Sequence, residues 1–495
     1  MSANINNIEP KEILSWFKKI CTIPHGSYHE KAISDWLIST CKQLGCDSVY
    51  QYPSGMIIAK LKGTKGYENR PIILLQAHMD MVLAKTFDCT KDLLTDPIDI
   101  YYDEKSKCIV ANKTTLGADN GIGVATILAI IASKNITHGP LEICFTTCEE
   151  DNPGECIIKD LNPNDINATN YINLDGLGVH TLVYGAAGCI TSKYNNSVKY
   201  ISCPSLDTWE IVLDGYRSGH SGGEIHKPHI NAIVHLAETL LNFANSNKID
   251  IKLVSFNAGP INNVIPVFAK CRIKMDKKYL SLLQNYFTES ILLAKEISQG
   301  FEPNINCKIS MVSPSVSYAL SDVDTNRVLM SLALCPNKVF IPQKDQKCMF
   351  SSSNIGFVQL DKETSAFKVD FKIRSFIDRD VKRNEKKIHL LMNHFGWTNH
   401  NLQGICKSFI NDPKNNTIAK IWCNAYQKIT NKPLLCDIIP GGLEIAEICA
   451  KKPSLTNNTI CVAATVLNEH TVKEAVPVID LQLFWEIIKE VLKTI

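Results

Sequence analysis

Acidic and histidine side chains gather in this sequence where apolar segments end. His78 and Asp80 form a His-x-Asp pair directly after the run Pro71–Ala77 (PIILLQA), and Asp119 sits in the glycine-flanked turn TTLGADNGIG. Glu149 and Glu150 follow LEICFTTC, Asp175 follows YINL, and His470 comes a few residues after TICVAATV. Alternate residues of an extended chain share a face, so His78 and Asp80 can point the same way, one binding a metal while the other contacts the ring N–H of the ligand. Carboxylates that end buried strands are costly unless they are paired or hold a metal. Two imidazoles and several carboxylates with almost no Lys or Arg among them suit hard-to-borderline divalent metals. Two such metals could share one bridging carboxylate and leave one Glu free as a base. Taken singly each site is weak; a lone Glu pair is usually a solvated surface.

The elements around these residues alternate between strand and helix patterns over the first 200 residues. NIEPKEILSWFKKICTI and HEKAISDWLISTCKQLG carry apolar residues at three-to-four spacing, and PIILLQA reads as a strand buried on both faces. A helix is expected from Asn120, and strands at LEICFTT and YINL. The pattern predicts an α/β fold, a three-layer domain on a mostly parallel sheet with ligands at the strands' carboxyl ends. From Asp207 the texture changes: DTWEIVLDGY, VFAKCRIKM and AFKVDFKIRSF alternate as half-solvated antiparallel strands, the last two each followed by an amphipathic helix. Residues 207–396 are therefore expected to form an inserted α+β lid domain with an internal duplication, between catalytic segments 1–206 and 397–495.

With 52 basic and 50 acidic residues in 495, the net charge is +2. That balance lacks the basic stripe of a nucleic-acid binder. No apolar run approaches the ~18 residues that span a bilayer, and the N-terminus lacks a signal-peptide pattern. The 19 cysteines are scattered without a CxxC pair, many inside apolar runs, which suits small hydrophobes in a reducing cytoplasm. His25 and His29 read as surface histidines. His220, His226 and His229 are discounted as a second metal site because a Gly/Pro-rich loop spreads them. GIGVAT lacks a complete nucleotide-loop motif and is discounted too.

QAHMDMV, TTLGADNGIGVATILAI, HGPLEICFTTCEED, YINLD and SGHSGGEIHKPHINAI resemble the aminoacyl-histidine (Xaa-His) dipeptidases, co-catalytic zinc peptidases related to aminoacylases and carnosinases. The resemblance runs in order through almost the whole chain and is densest over 70–235. It implies two divalent metal ions, Zn2+ with Co2+ or Mn2+ as alternatives. His78 and Asp175 would bind one metal, Glu150 and His470 the other, and Asp119 both. Asp80 would orient His78, and Glu149 would be the general base on the shared water. It further implies that His220 stabilises the oxyanion, that Asn263 and Arg374 hold the substrate, and that Gly441 and Gly442 offer backbone groups nearby. The expected activity is hydrolysis of dipeptides, Xaa-His or broader Xaa-Xaa. The alternatives are an N-acyl amino acid deacylase with the same centre and a non-catalytic binding relative. The expected partner is a small peptide, with neither nucleic acid nor membrane; a homodimer stays open, as does whether His220 serves its own chain. Pro440-Gly441-Gly442-Leu443-Glu444 and LNEHTVKEAV depart from the family pattern, and these changes bear on histidine preference rather than on hydrolysis.

Overall fold

Every side chain of the strand Ile73–His78 is buried, and the reason lies in where alternate residues go. Ile73, Leu75 and Ala77 enter one apolar core while Leu74 enters another. Neighbouring strands divide the same way: Ile143 and Phe145 face the first core and Cys144 the second, Ile172 the first and Tyr171 the second. A sheet with a core on each face is the middle of three layers. The helices Lys11–Ile20, Lys31–Gln43, Ala118–Ala132, Thr417–Thr430 and Val478–Thr494 contribute to the first core, and Glu444–Lys451 to the second. This computed structural model describes residues 2–3, 5–150, 158–344 and 348–495.

The sheet runs in the order Ser48–Gln51, Ile57–Leu61, Leu141–Thr146, Ile73–His78, Asn170–Asn173, Thr459–Cys461, Thr181–Ala186, Phe409–Ile410, with Leu435–Ile439 also paired to Thr181–Ala186. From Leu141–Thr146 to Thr459–Cys461 neighbouring strands are parallel. The flanks are antiparallel, made by the Ser48–Leu61 hairpin and by the reversed strand Thr181–Ala186. The sheet is thus mixed, parallel through its centre and again at one flank, where Leu435–Ile439 runs parallel to Thr181–Ala186. Parallel strands end on one edge, so His78, the Glu149–Glu150 turn and Asp175 all leave the sheet there. The strand expected over 459–466 stops at Cys461, and the chain continues irregularly toward His470.

The chain divides into two compact units, residues 1–186 with 409–439 and 443–495, and residues 187–408 with 440–442. The divisions lie outside the expected 207 and 396 because the strands Gly188–Ser197 and His400–Cys406 pair with each other, and Gly188–Ser197 also pairs with Ala366–Ser375. The second unit is an antiparallel sheet ordered Asn306–Met311, Asp207–Asp214, Ala269–Met275, Lys252–Ala258, Met349–Asp361, Ala366–Ser375, Gly188–Ser197, His400–Cys406. Its strands alternate buried and partly exposed residues, as their sequences require. The helices Ala232–Asn247, Leu280–Ile297, Asp322–Leu334 and Asp378–His394 contribute to its single large core, where Trp397 is fully buried. Among the described residues no helix is long and apolar enough to cross a membrane, and no disulfide links the cysteines.

Candidate metal centre

In the first unit the strand-end residues converge. His78 closes its strand and is almost fully buried. Its Nδ1 donates to the backbone carbonyl of Asp80 at 3.0 Å, with the Asp80 carboxylate 3.4 Å away. Its Nε2 lies 3.3 Å from Asp119 Oδ1 and 3.9 Å from Asp175 Oδ1. The other Asp119 oxygen, Oδ2, is 3.2 Å from Nε2 of His470, which also lies 2.8 Å from Glu150 Oε2. One ligand atom from each of His78, Asp119 and Asp175 falls within 4.8 Å of the others, and the same holds for Asp119, Glu150 and His470. Asp119 belongs to both groups.

Each position has a local cause. Asp119 opens the helix Ala118–Ala132, entered through Gly117 in the left-handed region at φ 69°, where a Cβ would stand 2.7 Å from Met81 Sδ. Four backbone N–H groups, those of Leu116, Gly117, Ala118 and Asp119, all donate to the buried carboxylate of Glu474 at 2.7–3.2 Å. An anion there satisfies the backbone donors of the turn that leads into Asp119, where the backbone is still non-helical. The Asp80 carboxylate accepts from the backbone N–H of Glu149 at 3.0 Å, of Glu150 at 3.1 Å and from Ser27 Oγ at 2.8 Å. Asp80 therefore sets the glutamate turn, while its backbone carbonyl makes the closer contact to His78. Cys148, in the left-handed region at φ 56°, is fixed by donation of its backbone N–H to Glu30.

Burial pushes the carboxyls of Glu149 and Asp175 well above the usual range, and neighbouring carboxylates push them further. Burial also raises Asp80, but His78 and the two turn N–H groups outweigh it and hold it at about 2. Hydrogen bonds to Asp119 and Glu150 lift His470 to about 11. Glu150 Oε1 is buried with no hydrogen-bond partner. Asp119, Glu149, Glu150, Asp175 and His470 line a cavity of about 180 Å³ together with Glu469. Its lining carries two-sided negative charge and neither Lys nor Arg, a donor set that fits divalent cations.

Residues that sequence reasoning passed over complete the surroundings. Glu444 is buried against Gln76 and Thr146, and burial lifts it to about 7. Its only sequence signal was an acidic residue in an apolar helix start. His25, expected at the surface, is buried, and its Nδ1 contacts the Ile23 carbonyl at 2.5 Å. The cause is parallel bridging of Gly26 with Met81, which carries the N-terminal segment under Asp80.

The second unit holds its own polar cluster. Backbone N–H groups of Gly222 and Gly223 lie 3.3 and 3.1 Å from His220 Nδ1, so that nitrogen accepts and Nε2 carries the proton. Nε2 then faces Arg374 Nη2 at 3.2 Å, donor against donor. Loss of water, with Arg374 and Lys372 close by, holds the imidazole at about 4, hence neutral. Arg374 is buried, and its Nε has no partner. Arg374 Nη2 also donates to Ser221 Oγ at 3.4 Å, and donors that converge in this way suit an anionic oxygen. Asn263 gives its carbonyl to the Ser221 N–H at 2.8 Å, and its own side-chain Oδ1 is buried without a partner. Gly222 has no Cβ, which would fall 2.0 Å from the Pro440 carbonyl oxygen, and this lets 440–442, with Gly441 and Gly442, join this unit.

No protein-family profile matches the chain. The cytosol non-specific dipeptidase of Escherichia coli K12 is 31% identical over 498 residues, spanning 100% of this chain and 99% of that protein. The aminoacylhistidine dipeptidase of Vibrio alginolyticus superposes with a TM-score of 0.90 at 28% identity, covering 100% and 98% of the two chains. The di-peptidase Dug1p of Saccharomyces cerevisiae, at TM-score 0.50, 13% identity and 97% and 95% coverage, shares the fold. With full-length identity above 30% to one dipeptidase and a superposition at TM-score 0.90 on another, the chain belongs to the aminoacylhistidine dipeptidase family of metallopeptidases.

Proposed function

We propose that this chain is a dinuclear-metal dipeptidase of the cytoplasm that cleaves the single peptide bond of Xaa-Xaa dipeptides, Xaa-His among them. The observation that carries the reading is the Asp119 carboxylate, which turns Oδ1 to His78 at 3.3 Å and Oδ2 to His470 at 3.2 Å. A carboxylate shared by two ligand groups is what a two-metal centre requires. His78 and Asp175 would hold one cation, Glu150 and His470 the other, with Asp119 between them. Two divalent cations there, Zn2+ or in its place Co2+ or Mn2+, would acidify the attacking water and polarise the scissile carbonyl.

Glu149 does the proton work in this reading. It lies on the turn that Asp80 fixes and lines the cavity, where burial raises the affinity of its carboxylate for a proton. It takes a proton from the attacking water and passes it to the nitrogen of the leaving amine. Arg374 would hold the free carboxylate and His220 the developing oxyanion, as their converging donors suit. Support for a dipeptide over a longer peptide comes from the names of the relatives at 31% and 28% identity.

The test is hydrolysis of β-alanyl-histidine, several Xaa-Xaa dipeptides and several N-acyl amino acids by wild type and Glu149→Ala. The variant is expected to keep its metal and lose about 10²–10⁴ in kcat. An unchanged rate removes Glu149 as the base, and preference for acyl amino acids makes the enzyme a deacylase.

A further inference from the structure

The second unit contains a third collection of metal-ligating side chains, none of them shared with the groups around Asp119. Glu385 and His389 stand one turn apart on the helix Asp378–His394, and His400 begins the strand His400–Cys406. One ring nitrogen of each histidine and one oxygen of Glu385 lie within 4.8 Å of one another, the same compass as the two groups around Asp119. His400 Nε2 is 3.1 Å from Glu385 Oε1. The two imidazoles sit with ring centroids 4.3 Å apart at 34°.

We propose that Glu385, His389 and His400 form a separate Zn2+ site that fastens this helix to the edge of the sheet. Residues i and i+4 share a helix face, so Glu385 and His389 present their heads together. His400 meets them from the strand that ends the sheet order, beside Gly188–Ser197. Two imidazoles and one carboxylate are a zinc donor set, and three protein ligands leave a fourth position for water. Zinc–ligand bonds of ~2.0–2.1 Å put tetrahedral ligands ~3.3 Å apart; the His400–Glu385 edge is already 3.1 Å, and His389 lies within 4.8 Å of both.

The surroundings hold the rings for that purpose. Tyr194 stacks on His400 at 5.0 Å, and its hydroxyl lies 3.3 Å from His389 Nδ1. Asn393 Nδ2 lies 3.0 Å from His389 Nε2. Both nitrogens of His389 are engaged, so a cation displaces one of these contacts and the other orients the ring. Ser192 Oγ donates to Glu385 Oε1 at 3.3 Å. A Glu385–His400 ion pair accounts for one imidazole; the second, His389, is placed by Tyr194 and Asn393 and brings a third donor atom within 4.8 Å of that pair.

The experiment is zinc titration of the full-length, chelator-stripped protein, with bound metal counted by mass spectrometry after dialysis. Wild type is expected to bind one equivalent more than His400→Ala and Glu385→Gln, whatever the number held around Asp119. Both variants are expected to retain peptide hydrolysis, and unchanged circular dichroism shows that they are folded. His389→Gln serves if either variant fails to fold. Equal zinc content in wild type and folded variants overturns the proposal, whereas loss of hydrolysis with the extra equivalent retained in wild type bears only on the Asp119 centre.

Discussion

Replacing Glu474 by Gln tests whether the centre depends on a residue that binds no metal in this reading. The carboxylate takes two backbone N–H groups on each oxygen, from Leu116 and Gly117 on Oε2 and from Ala118 and Asp119 on Oε1. An amide keeps one accepting oxygen and turns an NH2 toward the other two donors. Hydrogen bonds to a charged group are worth about 1.5–3 kcal/mol each, so losing two removes about 3–6 kcal/mol before any donor–donor repulsion. The lost contacts lie on Asp119 and the three residues before it, so the cost falls on placing Asp119. At 1.4 kcal/mol per decade, even 3 kcal/mol corresponds to a roughly 100-fold loss, at the upper end of the 10–100-fold usual for partners of metal ligands. Competition with a fluorescent chelator measures zinc affinity, and a thermal melt reports folding. Glu474→Gln with wild-type zinc affinity and wild-type melting would refute the reasoning.

Arg374→Ala should raise KM about 10–100-fold for dipeptides while changing kcat less, since it removes a binding fork and no proton-transfer group; a fall confined to kcat argues against that role. Stripping with a chelator should abolish hydrolysis, and readdition of Zn2+, Co2+ or Mn2+ should restore it; full activity in metal-free protein excludes the two-metal reading. Trp397→Ala should destabilise the second unit by about 3–5 kcal/mol, read as an earlier melting transition. The indole is fully buried, donates to Ser331 Oγ at 3.2 Å and lies under Arg327 at 4.1 Å. A melt that does not move shows that the cavity collapses without cost.

What was legible in the chain follows from range. The run 71–77 announced a doubly buried strand because both faces demand apolar residues, and that placed His78 and Asp80 at its exit. Alternation in AFKVDFKIRSF put Arg374 on a strand of a one-sided sheet for the same local reason. The supports were invisible because their partners are far away in sequence: Cys148 meets Glu30 across 118 residues, and Asp119 meets Glu474 across 355. Neither glutamate differs in composition from a surface residue until the fold buries it. The boundaries at 187 and 408 were missed because Gly188–Ser197 and His400–Cys406 declare their sheet only through pairing. The Asp80 carboxylate lies 3.4 Å from His78, and its additional hold on the glutamate turn went unread because backbone N–H groups leave no trace in a sequence.

The joining of Asp119 to His470 across 351 residues also imposes a schedule on biosynthesis. At about 5–20 residues per second, translation separates the two by roughly 20–70 s. During that interval Asp119 and Glu150 exist on the ribosome without the imidazole that faces them both, and the turn before Asp119 has no Glu474 to gather its N–H groups. A nascent chain therefore carries the acidic half of a peptide-cleaving centre in an inert form. On the proposed two-metal reading, hydrolytic competence arrives only after the whole intervening unit has been made.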